Sequence, residues 1–174
     1  MKKLLIVLAA LAIALLAYAY STVQTALPEN LERASVAYVV DGDTICVQRD
    51  GASEEERVRL IGVDAPESVA HQDYLDATGK ENTQEGVDAS DYLKELLPQG
   101  TTVWLEKDES DTDRYERLLR YVWLEEPETI STEEVQAAMV NAMLVSSGHA
   151  TPKEYEPDTK YAQIFEEIYE SLDS

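Results

Sequence analysis

Five short β-forming runs, each closed by a turn signal and divided three and two by a single helical stretch, constrain this chain more than any other feature. Residues 34–40 carry Val36, Tyr38, Val39 and Val40 and stop at Asp41-Gly42-Asp43; residues 44–48 follow and stop at Asp50-Gly51, a hairpin signal. Residues 57–63 alternate apolar and charged side chains until Pro66, which cannot donate to a ladder. Residues 83–97 then carry Val87, Tyr92, Leu93, Leu96 and Leu97 at helical spacing, with Thr83 placed to cap the first turn and Pro98-Gln99-Gly100 to end it. Residues 101–105 and 118–124 read as the last two strands. Helices over 131–148, opened by Ser131 and closed by Gly148, and over 161–172 complete the chain. That order predicts an α+β domain that is mainly β: a five-stranded Greek-key barrel of the OB type with three helices. A length of 174 residues suits one such domain, expected over 34–174.

The start of the chain is of another kind. Lys2 and Lys3 precede an uncharged apolar run over residues 4–20, which ends near Ala17-Tyr18-Ala19. A short positive region, an apolar stretch and a small-x-small site are the marks of a secretory signal peptide. The same run read as an uncleaved membrane anchor gives an N-terminal apolar helix of roughly 26 Å, a little short of the hydrocarbon core of about 30 Å. Both readings of residues 1–20 put the remainder outside the cytoplasm, secreted or anchored to the membrane. Residues 21–33 are expected to be a linker, and the default oligomeric state is a monomer.

Charge narrows the function classes. With 14 Lys and Arg against 35 Asp and Glu, the net charge is −21, so the protein does not grip polyanions through its overall field. A local cationic site remains compatible with that balance. The single cysteine, Cys46, excludes an internal disulfide and reads as a small apolar strand residue. His71 and His149 are too scattered for a zinc site, and Trp104 and Trp123 read as packing residues.

Four clusters can carry chemistry: Asp41-Gly42-Asp43-Thr44, Arg59, Asp64-Ala65-Pro66-Glu67, and Thr112-Asp113-Arg114-Tyr115-Glu116-Arg117. Each alone has a plain reading as a turn, an outward-facing strand residue or a solvated loop. Arg114, Arg117 and Arg120 can simply balance nearby carboxylates. Together they supply hard oxygen ligands of the kind Ca²⁺ takes, planar cationic forks suited to phosphate oxygens, and a further carboxylate able to orient or deprotonate water. Such a set serves phosphoryl transfer to water.

The segments Val40-Asp41-Gly42-Asp43-Thr44, Val58-Arg59-Leu60-Ile61-Gly62-Val63-Asp64-Ala65-Pro66-Glu67 and Thr112-Asp113-Arg114-Tyr115-Glu116-Arg117 resemble, in order and spacing, the three active-site segments of the staphylococcal nuclease family. Met139-Val140-Asn141-Ala142-Met143-Leu144-Val145 is similar to the family's second helix. The resemblance covers about residues 34–172 and implies a five-stranded OB barrel with three helices. It also implies a Ca²⁺-dependent phosphodiesterase that cleaves DNA and RNA, favours single-stranded or frayed substrate and leaves 3′-phosphate ends. Carried over by position, Asp43, Asp64 and the backbone carbonyl of Ala65 are calcium ligands, with Asp41 acting through water. Glu67 takes the place of the general base. Arg59 and Arg117 hold the scissile phosphate, and Tyr115 and Tyr155 contact the substrate. Asn141 is a buried structural residue.

Three departures qualify what is carried over. Ala65 stands where the family has threonine, Glu116 where it has a glycine, and Arg120 where it has a small residue. The alternative implied by the same resemblance is a catalytically weak nuclease-like OB module that binds nucleic acid or a protein. The acidic surface is also what a protein from a salty medium would show.

Overall fold

A computed structural model describes Pro28 and residues 31–66 and 83–173. The expected N-terminal signal or anchor over residues 1–20, Glu67 and His71 therefore lie outside the described residues. Strands β1 (Leu31–Val39), β2 (Thr44–Arg49) and β3 (Glu56–Leu60) form consecutive antiparallel hairpins. After β4 (Val63–Asp64) and helix α1 (Gln84–Leu96) come β5 (Thr102–Glu106) and β6 (Leu118–Trp123). The sheet closes as β1-β2-β3-β6-β5, the barrel that the strand order predicts. All neighbours in it are antiparallel except β3 and β6, which run parallel.

Alternation fills the barrel. In β3, Val58 and Leu60 are buried while Arg59 between them is not, and Ile45, Val47, Val103, Leu105 and Val122 complete the interior. β1 starts at Leu31, so the last residues expected to be linker already pair with β5, Leu31 against Glu106 and Arg33 against Trp104.

Two predicted elements are broken in the structure. The third strand, expected over 57–63, is interrupted at Ile61-Gly62. Gly62 has φ +79°, and a Cβ there would come within 2.5 Å of the Phe165 ring. Chain reversal and close packing beneath the last helix both require glycine. The chain then re-enters a separate two-stranded sheet, β4 with β7 (Thr151–Pro152).

The helix expected over 131–148 is two helices, α2 (Thr132–Ala138) and α3 (Val140–Ser146), parted at Met139 (φ −97°, ψ 121°). Met139 is fully buried and bridges Trp123, while Leu124 N–H donates to the Ala138 carbonyl at 2.9 Å. Pairing with the end of β6 wins over helix continuity. Asn141 secures the same junction: its side-chain oxygen accepts from Val122 N–H at 2.9 Å and its amide donates to the Ile61 carbonyl at 2.9 Å. The last helix, α4 (Ala162–Glu170), buries Phe165 and Ile168 and exposes Glu166, Glu167 and Glu170.

α1 is capped as its sequence predicts, with Gly86 N–H donating to Thr83 Oγ1 at 3.0 Å. Its buried face is Gly86, Ala89, Ser90 and Leu93. Cys46, Trp123 and Asn141 are buried as packing residues. Among the described residues no helix is long and apolar enough to cross a membrane.

Candidate active site

The sheet register builds the site. Thr44 at the start of β2 is paired with Arg59 on β3, which sets Asp43 beside the Arg59 side chain. Arg59 is in turn paired, in parallel, with Leu119 on β6, so the loop feeding β6 delivers Arg117 to the same end of the barrel. The break at Gly62 turns Asp64 and Ala65 back toward that end. Asp41, Gly42, Asp43, Arg59, Asp64, Ala65, Pro66 and Arg117 line one open cleft of about 200 Å³. Gly42 fits there for want of a side chain, because a Cβ would stand 2.8 Å from Ala65 Cβ and 3.1 Å from Ala89 Cβ.

Arg59 is the hub. Its guanidinium meets Asp43 Oδ2 at 2.5 Å and Asp64 Oδ1 at 3.3 Å, and it also reaches the Leu60 carbonyl at 3.3 Å. Asp43 accepts further bonds from Ala65 N–H (3.2 Å) and Thr44 Oγ1 (3.2 Å). Asp41 Oδ1 accepts from Asp43 N–H at 3.1 Å, an Asx turn that brings a second carboxylate alongside. Burial drives the Asp43 carboxyl up to about 6; Arg59 opposes this, Asp41 reinforces it, and the Ala65 and Thr44 donors oppose it. Asp43 is thus a buried carboxyl held between one cation, Arg59, and one like charge, Asp41.

Arg117 enters from the other wall. Asp113 holds it through Nε at 2.8 Å and Nη2 at 2.7 Å, leaving Nη1 to reach Thr44 Oγ1 at 3.3 Å. Burial raises the Asp113 carboxyl, but the Arg117 N–H, the Arg117 side chain and the Tyr115 N–H outweigh it and keep it below the ordinary range. The turn carrying these residues has Glu116 at φ +62°, a left-handed backbone at a residue with a Cβ. Tyr115 is exposed, with the Arg114 guanidinium 4.7 Å and the Arg117 guanidinium 5.5 Å from its ring centre. Arg120, by contrast, is buried and pairs with Asp111 at 2.7 Å, away from the cleft lining.

Of the residues predicted from sequence, the cleft gathers Asp41, Asp43, Arg59, Asp64, Ala65 and Arg117. Tyr115 sits at its margin through Arg117. Tyr155 is exposed and does not line it; Lys153 Nζ, 5.6 Å from the Tyr155 ring centre, stands between Tyr155 and Asp64. Sequence reasoning assigns no role to Thr44, Asp113 or Lys153. The first two are adjacent to predicted residues and readable as their hydrogen-bonding partners, whereas nothing local marks Lys153.

Among the described residues no three Asp, Glu, His or Cys side chains are gathered so as to hold a metal ion. The expected ligand set asks for fewer: two aspartates and a carbonyl. The donor chemistry fits a hard cation, since the Asp43 and Asp64 carboxylates and the Ala65 carbonyl are all oxygen ligands on one cleft.

Residues 57–171 match a family model described as staphylococcal nuclease homologue. A thermonuclease of Staphylococcus hyicus is 37% identical over 138 residues, covering 79% of this chain and 69% of that protein. A thermonuclease of Staphylococcus intermedius is 38% identical over 132 residues, covering 76% of this chain and 66% of that protein. Endonuclease YncB of Bacillus subtilis (strain 168) is 31% identical over 138 residues, covering 79% of this chain and 56% of that protein. The chain thus spans about two thirds of the length of the thermonucleases and little more than half of the Bacillus relative.

Proposed function

The chain belongs to the staphylococcal nuclease family, and from that premise we propose that it is a nuclease, dependent on calcium, that hydrolyses phosphodiester bonds of DNA and RNA with an activated water. The observation that carries this reading is the convergence of Arg59 and Arg117 with Asp43 and Asp64 on one cleft. Asp43, Asp64 and the Ala65 carbonyl would hold the ion, with Asp41 acting through water. Bound there, calcium supplies positive charge to a phosphate oxygen.

The chain's own residues do the rest. Arg59 and Arg117 bind the scissile phosphate and stabilise the charge that grows on it; guanidinium groups are too basic to serve readily as proton donors. Glu67 follows Pro66, the last cleft residue described, and accepts the proton of the attacking water. The water oxygen bonds to phosphorus, the P–O5′ bond breaks, the departing oxygen takes up a proton, and a 3′-phosphate remains. Tyr115, and less directly Tyr155, offer exposed rings to the substrate. Single-stranded or frayed ends are the expected substrate, and residues 1–20 carry the protein out of the cytoplasm, secreted or anchored.

Incubating the protein with single-stranded DNA in Ca²⁺ and then in EGTA tests the reading. Cleavage that depends on calcium and collapses in Glu67→Ala with the fold retained is expected. Binding without cleavage by the wild type would favour the catalytically weak OB module instead.

A further inference from the structure

Lys153 is held on the Asp64 side of the cleft by backbone pairing. β7 lies antiparallel to β4, with Asp64 opposite Thr151 and Val63 opposite Pro152, and Lys153 N–H continues the ladder to the Gly62 carbonyl at 2.9 Å. Its ammonium reaches Asp64 Oδ2 at 2.9 Å, on the carboxylate whose other oxygen faces Arg59. Both groups are about half exposed, 48% and 41%, so neither desolvation nor packing locks the pair. The four-carbon stem leaves Nζ free to move within a few ångströms. On the far side lies the exposed ring of Tyr155, 5.6 Å from Nζ.

A cation seated on Asp64 competes with any other cation for that carboxylate. We propose that Lys153 is a stand-in for the divalent ion that becomes a substrate-binding residue when the ion arrives. In the metal-free protein its ammonium neutralises Asp64. When calcium takes Asp64, the ammonium is released toward Tyr155, where it meets the phosphodiester group next to the one being cleaved. This gives the acidic protein a nucleic-acid contact that is freed from its carboxylate only once the site is loaded. The inference rests on the calcium-nuclease reading of the same cleft.

The test uses the full chain, calorimetric titration with Ca²⁺ alone, and binding of a hydrolysis-resistant phosphorothioate oligothymidylate in saturating Ca²⁺ across a NaCl series. Lys153→Met should bind calcium about threefold more tightly than wild type, as expected for loss of one exposed competing ion pair. It should bind the oligonucleotide more weakly, with the slope of log affinity against log salt reduced by about 0.7, the share of one phosphate contact on a single strand. Lys153→Arg should restore the slope. Calcium affinity that is unchanged or weaker in Lys153→Met overturns the competition. A tighter calcium site with an unchanged salt slope overturns the transfer to substrate. If wild type neither binds calcium nor cleaves DNA, the functional reading falls and Lys153 falls with it; wild-type cleavage beside a flat Lys153→Met response sinks the Lys153 proposal alone.

Discussion

Glu106 and Asp43 are both carboxylates withdrawn from solvent with a cation against them, and the barrel uses them in opposite ways. Glu106, at the end of β5, accepts from Trp123 Nε1 at 2.8 Å, from the Tyr161 hydroxyl at 3.0 Å and from Lys160 Nζ at 2.5 Å. All three of these partners are donors, and Trp123 and Tyr161 are themselves buried. Burial, then the Glu106 charge, pushes the Tyr161 hydroxyl far above its ordinary range, which keeps it a donor. Asp43 has its donors too, but a second carboxylate, Asp41, stands beside it and the group opens on a cleft. A satisfied acid ties β5, β6 and the start of α4 together. Asp43, raised first by burial and then by Asp41 against the pull of Arg59, stands instead where a cation can enter from the cleft.

The sharpest way to break the contrast is to empty the satisfied cluster. Glu106→Ala leaves a buried indole N–H and a buried hydroxyl without acceptors and Lys160 without its partner. Stability should fall by about 3–5 kcal/mol, read from the urea midpoint. Cleavage per folded molecule should stay within about twofold of wild type. A large loss of cleavage with an unchanged midpoint would erase the distinction between the two regions.

Arg117→Ala asks the converse question. On the proposed mechanism Arg117 faces the charge that develops on the phosphate, so its removal should lower kcat by about 10²- to 10³-fold. The ion pair with Asp113 lies near the surface, so the unfolding free energy should move by less than about 1 kcal/mol. Single-turnover cleavage and chemical denaturation of the same preparation report both quantities.

Asp113 probes how the cleft wall is held. Its carboxyl sits below the ordinary range because Arg117 and the Tyr115 N–H overcome burial. A depressed carboxyl stabilises the fold above its unfolded value of about 4, and that contribution disappears as pH falls through the lower folded value. Asp113→Asn should therefore be less stable than wild type by about 1 kcal/mol at pH 7, with the gap closing below about pH 4. A gap that is constant with pH would show that packing, not charge, holds Arg117.

The sequence made the same division readable to different depths. Asp43, Arg59, Asp64 and Arg117 could be picked out because each sits in a short run that resembles a segment of the family, and the sheet register brings those runs to one cleft. The barrel was legible because turns and alternation are local signals. The breaks at Gly62 and Met139 were not. Each depends on a partner far along the chain: the Phe165 ring over Gly62, and the end of β6 pairing with Met139. Lys153 was hidden for the same reason, since it reaches Asp64 only through the β4–β7 pairing. Glu106 read as one acid among 35 Asp and Glu, and only the closed sheet reveals that Trp123 and Tyr161 surround it.

Glu116 offers the finest cut between the two regions. It combines left-handed backbone, φ +62°, with a negative side chain next in sequence to Arg117, the residue proposed to bind phosphate. Left-handed backbone costs a residue bearing Cβ about 1 kcal/mol, part of which glycine returns through its freer unfolded chain. Glu116→Gly should thus stabilise the protein by somewhat less than about 1 kcal/mol, whereas Glu116→Gln, which keeps the Cβ, should not. Both remove the charge, so both should tighten oligonucleotide binding alike at low salt. That gain should fade as added NaCl shortens the Debye length from about 10 Å at 0.1 M toward 3 Å at 1 M. If Gln stabilises as much as Gly, the strain is relieved elsewhere in the turn and charge alone sets the cost of this position. If Gly tightens binding more than Gln at every salt concentration, the backbone conformation itself limits how Arg117 meets its anion.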